Sequence, residues 1–262
     1  MREKALLLLA VIAAFSPARP AACEELLVFA AASLREAFTE IGGAFEAAHS
    51  GTRVALNLAG SQELAAQIEN GAAADVIACA DSATMKRLTD GGLVSSPTIF
   101  AHNAPVVVTG PALAETVREF GDLPRASRIV LGAPEVPIGR YSIEILDRAS
   151  RRYGADFRRR VEEHVVSKEL NVRQVLGKVA LGEADAAIVY RTDASAARVR
   201  VIEIPREVNV LADYPIAVVS QSHRQSLAED WVATVLGPAG QAIVRARGFL
   251  SASGQAAEGT PR

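Results

Sequence analysis

Two kinds of hydrophobic pattern alternate along the chain from Glu25 onward, and together they predict an α/β protein. Short, continuous apolar runs such as Leu26–Ala30 predict buried strands. Longer stretches in which apolar residues recur three and four positions apart, such as Ser33–His49, predict helices. A repeated order of strand, helix, strand is typical of mostly parallel sheets flanked by helices.

The alternation divides into two similar blocks, roughly 26–103 and 104–213, followed by a terminal segment. The predicted strands are Leu26–Ala30, Arg53–Leu58, Asp75–Cys79, Pro105–Thr109, Ile129–Gly132, Asp185–Tyr190, Val199–Ile204 and Tyr214–Val219, with one more after Arg160–Val166. The predicted helices are Ser33–His49, Ser61–Asn70, Ser82–Asp90, Tyr141–Tyr153, Val172–Leu181, Ser226–Leu236 and Pro238–Arg247. No Pro- and Gly-rich linker separates the blocks, so we expect two lobes joined through strands at a hinge.

The N-terminal residues have the three parts of a secretory signal, predicted to span 1–23. Met1–Lys4 is basic, Ala5–Phe15 is an unbroken apolar run, and Pro17–Cys23 is small and contains proline. The apolar run is too short for a membrane span, which needs roughly 20 residues. We therefore expect a cleaved signal and a periplasmic protein. Cys23 also leaves open a lipid anchor, which is less favoured because the usual leucine of a lipoprotein box is missing.

Charge and motif content argue against nucleic-acid binding and against catalysis. Removal of the signal takes away three of the 28 basic and one of the 30 acidic residues, which leaves a net charge of about −4. The four histidines lack metal-ligand spacing, and GxSxG, P-loop and GxGxxG motifs do not occur. Cys79 lies in an apolar run and is predicted to be a buried hydrophobe. We expect no enzyme activity, no cofactor and no direct metal ligands.

Polar or proline-containing sequences mark four predicted helix starts that follow strands. Ser33 precedes Glu36 by three positions, which is the spacing of a capping box. Ser61 follows Gly60, residues Pro137–Gly139 stand before the helix predicted at 141–153, and Asn171 precedes another helix. Helix N-termini carry free N–H groups and the positive end of the helix dipole, so four that converge form an anion site. The alternative is that these residues are ordinary helix caps.

Several segments, in the same order, resemble the family of periplasmic molybdate-binding proteins of molybdate ABC transporters. The similarity extends over about Leu26–Phe249. The segments that carry it are Ala30–Leu34, Gly60–Gly71, Ala74–Asp81, Pro134–Tyr141, Asn171–Arg173, Ala187–Ala194, Tyr214–Val219, Leu236–Pro238 and Gly248–Phe249.

The resemblance implies a two-lobed periplasmic-binding-protein fold of type II, with the ligand in the cleft. It implies a first lobe of 24–103 and 214–250 and a second lobe of 104–213. The small and polar composition of 251–262 predicts a flexible tail. The resemblance also implies five residues that contact molybdate or tungstate. Ser33 and Ser61 contribute hydroxyl and backbone N–H groups, Ile138 and Val172 contribute backbone N–H groups, and Tyr190 contributes its phenol. The expected partner is the membrane permease of a molybdate ABC transporter, and a monomer is expected.

Other members of this structural class remain as alternatives. The first is a binding protein for another oxyanion, such as sulfate or a phosphonate. The second is an enzyme or a transcriptional effector domain on the same fold, against which the missing catalytic motifs and the signal sequence argue. A site made only of donors favours a fully ionised dianion, because a protonated anion such as hydrogenphosphate leaves its proton without an acceptor.

Overall fold

A computed structural model describes residues 24–110, 116–195 and 197–252. The predicted signal 1–23, with Cys23, lies outside the described residues, and so does the predicted tail from residue 253.

Six strands form the first sheet, in the order β11-β4-β10-β3-β1-β2. β1 pairs in parallel with β2 and β3, whereas β10 runs antiparallel to β3 and β4. We call this sheet with its helices the six-stranded half. Its strands are β1 (Glu24–Ala31), β2 (Thr52–Ala59), β3 (Val76–Ala78), β4 (Thr98–Asn103), β10 (Ala212–Val218) and β11 (Leu250–Ser251).

Five strands form the second sheet, in the order β7-β6-β8-β5-β9. β6 pairs in parallel with β7 and β8, and β5 runs antiparallel to β8 and β9. We call this sheet with its helices the five-stranded half. Its strands are β5 (Pro105–Thr109), β6 (Ile129–Gly132), β7 (Val165–Glu169), β8 (Ala186–Tyr190) and β9 (Arg200–Ile202).

Nine α-helices flank the two sheets in the described part of the chain. In the six-stranded half they are α1 (Arg35–Ala48), α2 (Ser61–Glu69), α3 (Ser82–Asp90), α8 (Gln225–Leu236) and α9 (Pro238–Ala246). In the five-stranded half they are α4 (Pro137–Tyr153), α5 (Phe157–Glu162), α6 (Val172–Ala180) and α7 (Arg191–Ala194). Short 3₁₀ turns cover Ala32–Leu34 and Phe120–Arg125.

The predicted elements agree with the structure except at a few places. α4 begins at Pro137 rather than Tyr141, because proline lacks the N–H that a first-turn residue does not use. Strand β4 and helices α5 and α7 were not predicted, and β11 includes Ser251, the first residue of the predicted tail. The sheets are also more mixed than the expected mostly parallel ones, because β4, β10 and β11 in one sheet and β5 and β9 in the other bring in antiparallel pairings.

The chain crosses between the halves directly from β4 into β5, and returns between β9 and β10. One cluster of buried apolar side chains includes residues of both halves, so the two sheets share a continuous core. Cys79 is fully buried, as predicted. Among the described residues, no helix is both long and apolar enough to cross a membrane.

Candidate functional site

A small cavity lies between the two halves, where strands end and helices begin. Its volume is about 20 Å³. One water needs roughly 10–15 Å³ on this scale, so the cavity has room for one small ion. All five residues implied by the resemblance line it. The full lining is Ala31, Ala32, Ser33, Ala59, Gly60, Ser61, Ala80, Val136, Pro137, Ile138, Asn171, Val172 and Tyr190.

Backbone N–H groups at the starts of α4 and α6 are left free for a ligand by the local sequence. Pro137, the first residue of α4, has no N–H, so Ile138 carries the first one. In α6, the side chain of Asn171 accepts hydrogen bonds from the backbone N–H groups of Arg173 and Gln174, at 3.1 Å each. The N–H of Val172 has no acceptor within its own helix. Each helix therefore offers a donor beside the cavity, together with the positive end of its dipole.

The N-terminus of α4 reaches the cavity because glycine lets it approach β6 closely. A Cβ added to Gly139 would lie 1.9 Å from the carbonyl oxygen of Ala133. A Cβ added to Gly132 would lie 2.7 Å from the backbone nitrogen of Gly139. Two glycines facing each other thus permit a backbone contact that any side chain would prevent.

Both serine hydroxyls already have partners within the protein. Ser33 Oγ lies 2.8 Å from the phenol oxygen of Tyr214, and the N–H of Ala80 donates to Ser61 Oγ at 3.0 Å. Both serines are buried. The capping box predicted for Ser33 is wrong, because Ser33 sits in the 3₁₀ turn before α1 and no side chain caps that turn. Its hydroxyl is committed to Tyr214 instead.

The hydroxyl of Tyr190 is the donor that has no partner. The side chain is buried, and its oxygen makes no hydrogen bond to any described protein group. Burial, followed by the neighbouring Tyr214, raises the pKa of Tyr190 well above its ordinary value, so the phenol keeps its proton. A buried polar group without a partner costs about 1–3 kcal/mol, so this hydroxyl marks a position for a ligand acceptor.

Two arginines in the first turns of α4 and α6 form ion pairs across the cleft. Arg140 pairs with the buried Asp81 and donates to Thr84 Oγ1 at 2.9 Å. Arg173 pairs with Glu36 of α1 across the cleft. These charged groups stand outside the cavity, whose described lining contains no carboxylate, histidine, lysine or arginine.

Arg173 also faces Asp193 within its own half. Its Nε lies 2.7 Å from Asp193 Oδ1, and the carboxyl is fully buried. Burial raises the pKa of Asp193 to about 7, the Arg173 guanidinium opposes that rise, and Glu36 adds to it. The guanidinium is therefore shared between carboxyl groups of the two halves.

Four residues around the site could not be assigned from the sequence: Asn103, Tyr214, Arg140 and Arg173. Arg140, Arg173 and Tyr214 lie inside segments that carry the family resemblance, which is the available signal. Arg140, Arg173 and Tyr214 bond to Thr84, Glu36 and Ser33, which lie 56, 137 and 181 positions away in the chain. Only the fold brings these pairs together.

Two α/β halves joined by two strand crossings, with one anion-sized cavity of neutral donors between them, define a solute-binding protein. The chain belongs to the bacterial extracellular solute-binding protein family, whose sequence profile matches residues 26–250.

Similar proteins agree with that class. The molybdate-binding protein ModA of Mycobacterium tuberculosis is 39% identical over 241 residues, which cover 90% of this chain and 88% of that protein. The substrate-binding domain of a putative molybdenum ABC transporter from Clostridium difficile is 26% identical with a TM-score of 0.64, covering 87% of this chain and 98% of that chain. The sulfate-binding protein SubI of M. tuberculosis superposes with a TM-score of 0.79 at 18% identity, covering 87% of each chain, and shares the fold.

Proposed function

We propose that this protein is the periplasmic binding component of an ABC importer for molybdate, that it also binds tungstate, and that it delivers the anion to a membrane permease. The ligand contacts in this proposal are the hydroxyls of Ser33, Ser61 and Tyr190 and the N–H groups of Ile138 and Val172. Molybdate is cargo rather than a cofactor, and the protein acts as a binder without catalysing a reaction.

The observation that carries the proposal is an anion-sized cavity with donors from both halves and no charged side chain in its described lining. The unpartnered phenol of Tyr190 points to a missing acceptor. A fully ionised oxyanion supplies acceptors in every direction and uses the positive ends of α4 and α6. The 39% identity to a molybdate-binding protein favours molybdate among such anions.

Calorimetric titration with molybdate, tungstate, sulfate and phosphate tests the ligand. We expect tight binding of molybdate and tungstate and at least about 100-fold weaker binding of sulfate, a gap of roughly 2.7 kcal/mol. The fixed donors fit one anion radius, and the smaller sulfate cannot reach all of them. Equal affinity for sulfate would contradict the molybdate assignment and favour the alternative of a binding protein for another oxyanion.

The proposal includes closure of two lobes, 24–103 with 214–250 against 104–213, around the anion. The donors of Ser33 and Ser61 and those of Ile138, Val172 and Tyr190 stand on opposite sides of the cleft, so the closed form gains affinity that the open form lacks. Small-angle scattering should show a smaller radius of gyration with molybdate, and the melting temperature should rise with ligand concentration. No change in either quantity at saturation would contradict closure.

A further inference from the structure

The partners of Ser33 form a chain of hydrogen bonds that starts at a side-chain amide. Asn103 Nδ2 donates to Thr192 Oγ1 at 2.8 Å and to the phenol oxygen of Tyr214 at 3.4 Å. The phenol oxygen in turn lies 2.8 Å from Ser33 Oγ. Asn103, Tyr214 and Ser33 are all buried, so solvent does not exchange with these bonds.

The direction of the bonds in this chain is assigned from its first donor and from the acceptors that remain among the described partners. An amide nitrogen can only donate, so the oxygen of Tyr214 accepts from Asn103. The phenol keeps its proton, because burial raises the pKa of Tyr214 well above its ordinary value, and that proton is then directed to Ser33 Oγ. Ser33 accepts from Tyr214, and its own proton is left to point into the cavity that it lines.

Ser61 has the same arrangement by another route. The donor to Ser61 Oγ is the backbone N–H of Ala80, at 3.0 Å, which cannot turn round. The direction of the Ser61 hydroxyl is therefore built into the backbone, whereas the direction of the Ser33 hydroxyl depends on two replaceable side chains.

We propose that Asn103, acting through Tyr214, is a positioning residue that holds the Ser33 hydroxyl as a donor and so makes the site reject oxyanions that carry a proton. This inference rests on the proposed oxyanion-binding function and adds the residues that set its selectivity. Neither Asn103 nor Tyr214 lines the cavity. Both lie beside the strand crossings, Asn103 as the last residue of β4 and Tyr214 near the start of β10.

Asn103→Asp tests the direction, because a carboxylate of the same shape accepts where the amide donates. The phenol would then donate to residue 103, Ser33 would donate to the phenol, and Ser33 would present a lone pair to the cavity. Molybdate and hydrogenphosphate carry the same charge of −2 at about pH 8, above the second pKa of phosphate. The added carboxylate therefore weakens both anions alike, and the ratio of their dissociation constants isolates the hydroxyl direction.

The experiment titrates wild type, Asn103→Asp and Tyr214→Phe with molybdate and with inorganic phosphate at about pH 8, by calorimetry and competition. We expect Asn103→Asp to shift the ratio of the two dissociation constants toward phosphate by about tenfold or more, the effect of one reversed buried hydrogen bond. Tyr214→Phe frees the Ser33 hydroxyl to turn and should shift the ratio less, by about threefold. Tyr153→Phe, the same change in the outer layer of the five-stranded half, should leave the ratio unchanged.

The outcomes separate the claims. An unchanged ratio in Tyr214→Phe overturns the whole chain of hydrogen bonds, even if both anions bind more weakly. A changed ratio in Tyr214→Phe with an unchanged ratio in Asn103→Asp overturns the part assigned to Asn103. If wild type binds molybdate tightly in either case, the proposed function stands. If wild type binds no oxyanion, the proposed function and this inference both fail.

Discussion

The two halves contribute to the site by different chemistry. The six-stranded half offers hydroxyls of Ser33 and Ser61, each already held by a protein partner, Tyr214 or Ala80. The five-stranded half offers two backbone N–H groups at helix starts and the phenol of Tyr190, which has no partner among the described residues. The hydroxyls of one half have protein partners without a ligand, and in the proposed complex the phenol of the other half gains its partner from the ligand.

This difference separates two ways to prepare a binding group. A hydroxyl that accepts a hydrogen bond from the protein is already oriented when the chain has folded. It contributes to the stability of the ligand-free protein. A buried phenol without a partner lowers stability and recovers that loss only when an acceptor enters. The halves should therefore respond in opposite directions to the removal of a hydroxyl.

The largest effect is expected where the five-stranded half places its backbone donors. Gly139→Ala puts a methyl group 1.9 Å from the carbonyl oxygen of Ala133 and must displace the start of α4. We expect a loss of molybdate affinity of about 100-fold, typical of a misplacement near 1 Å, and a loss of about 1–3 kcal/mol in the free energy of unfolding. Titration and denaturant unfolding measure the two.

Gly177→Ala is the matched control for that change. Gly177 lies in α6, and an added Cβ there meets nothing within 4 Å. The control should keep full affinity and gain about 0.5–1 kcal/mol of stability, because alanine favours a helix interior. Similar losses in both variants would mean that the close contact of Gly139 is unimportant.

A smaller loss of affinity is expected when the Ser61 hydroxyl of the six-stranded half is removed. Ser61→Ala removes a donor to the anion and leaves the N–H of Ala80 without its acceptor. Binding should weaken by roughly 1.5–3 kcal/mol, and the ligand-free protein should lose about 1 kcal/mol of stability. Normal molybdate binding by this variant would reduce Ser61 to a structural residue.

The smallest loss of affinity, about 1.5 kcal/mol, is expected for Tyr190→Phe, which removes one hydroxyl and little volume. Its effect on stability should have the opposite sign. The ligand-free variant should be as stable as wild type or more stable, because it no longer buries an unpartnered oxygen. Thermal unfolding with and without molybdate compares Tyr190→Phe with Ser61→Ala. A loss of ligand-free stability in Tyr190→Phe would contradict the claim that the two halves respond in opposite directions to the removal of a hydroxyl.

Much of the fold was predictable because apolar residues recur along the chain at the regular spacings of helices and buried strands. α3 and the strands β5 and β6 have their predicted bounds, since glycine or proline stands next to or inside their ends. β4 was missed because its run Thr98–Asn103 contains His102 and lacks a clear alternation. The start of α4 was missed because a proline at a first turn resembles a loop in sequence.

The site was predictable to the level of its lining and no further. The five residues implied by the resemblance do line one cavity, and their roles as ligand contacts stay a prediction. The groups that orient them, Tyr214 and Asn103, act over long separations in the chain. Local pattern even misled at Ser33, where the spacing to Glu36 suggested a cap while the fold assigned Glu36 to Arg173.

The ion pairs of Arg140 and Arg173 have a consequence for the time that an anion stays bound. Both arginines follow shortly after residues that line the cavity, and in the proposed closure both pairs separate when the cleft opens. On that proposal, residence time depends on ion pairs whose arginine side chains are 35% exposed for Arg140 and 21% exposed for Arg173. Added salt screens such charges, so it should hasten dissociation of the anion even though no ion pair touches it.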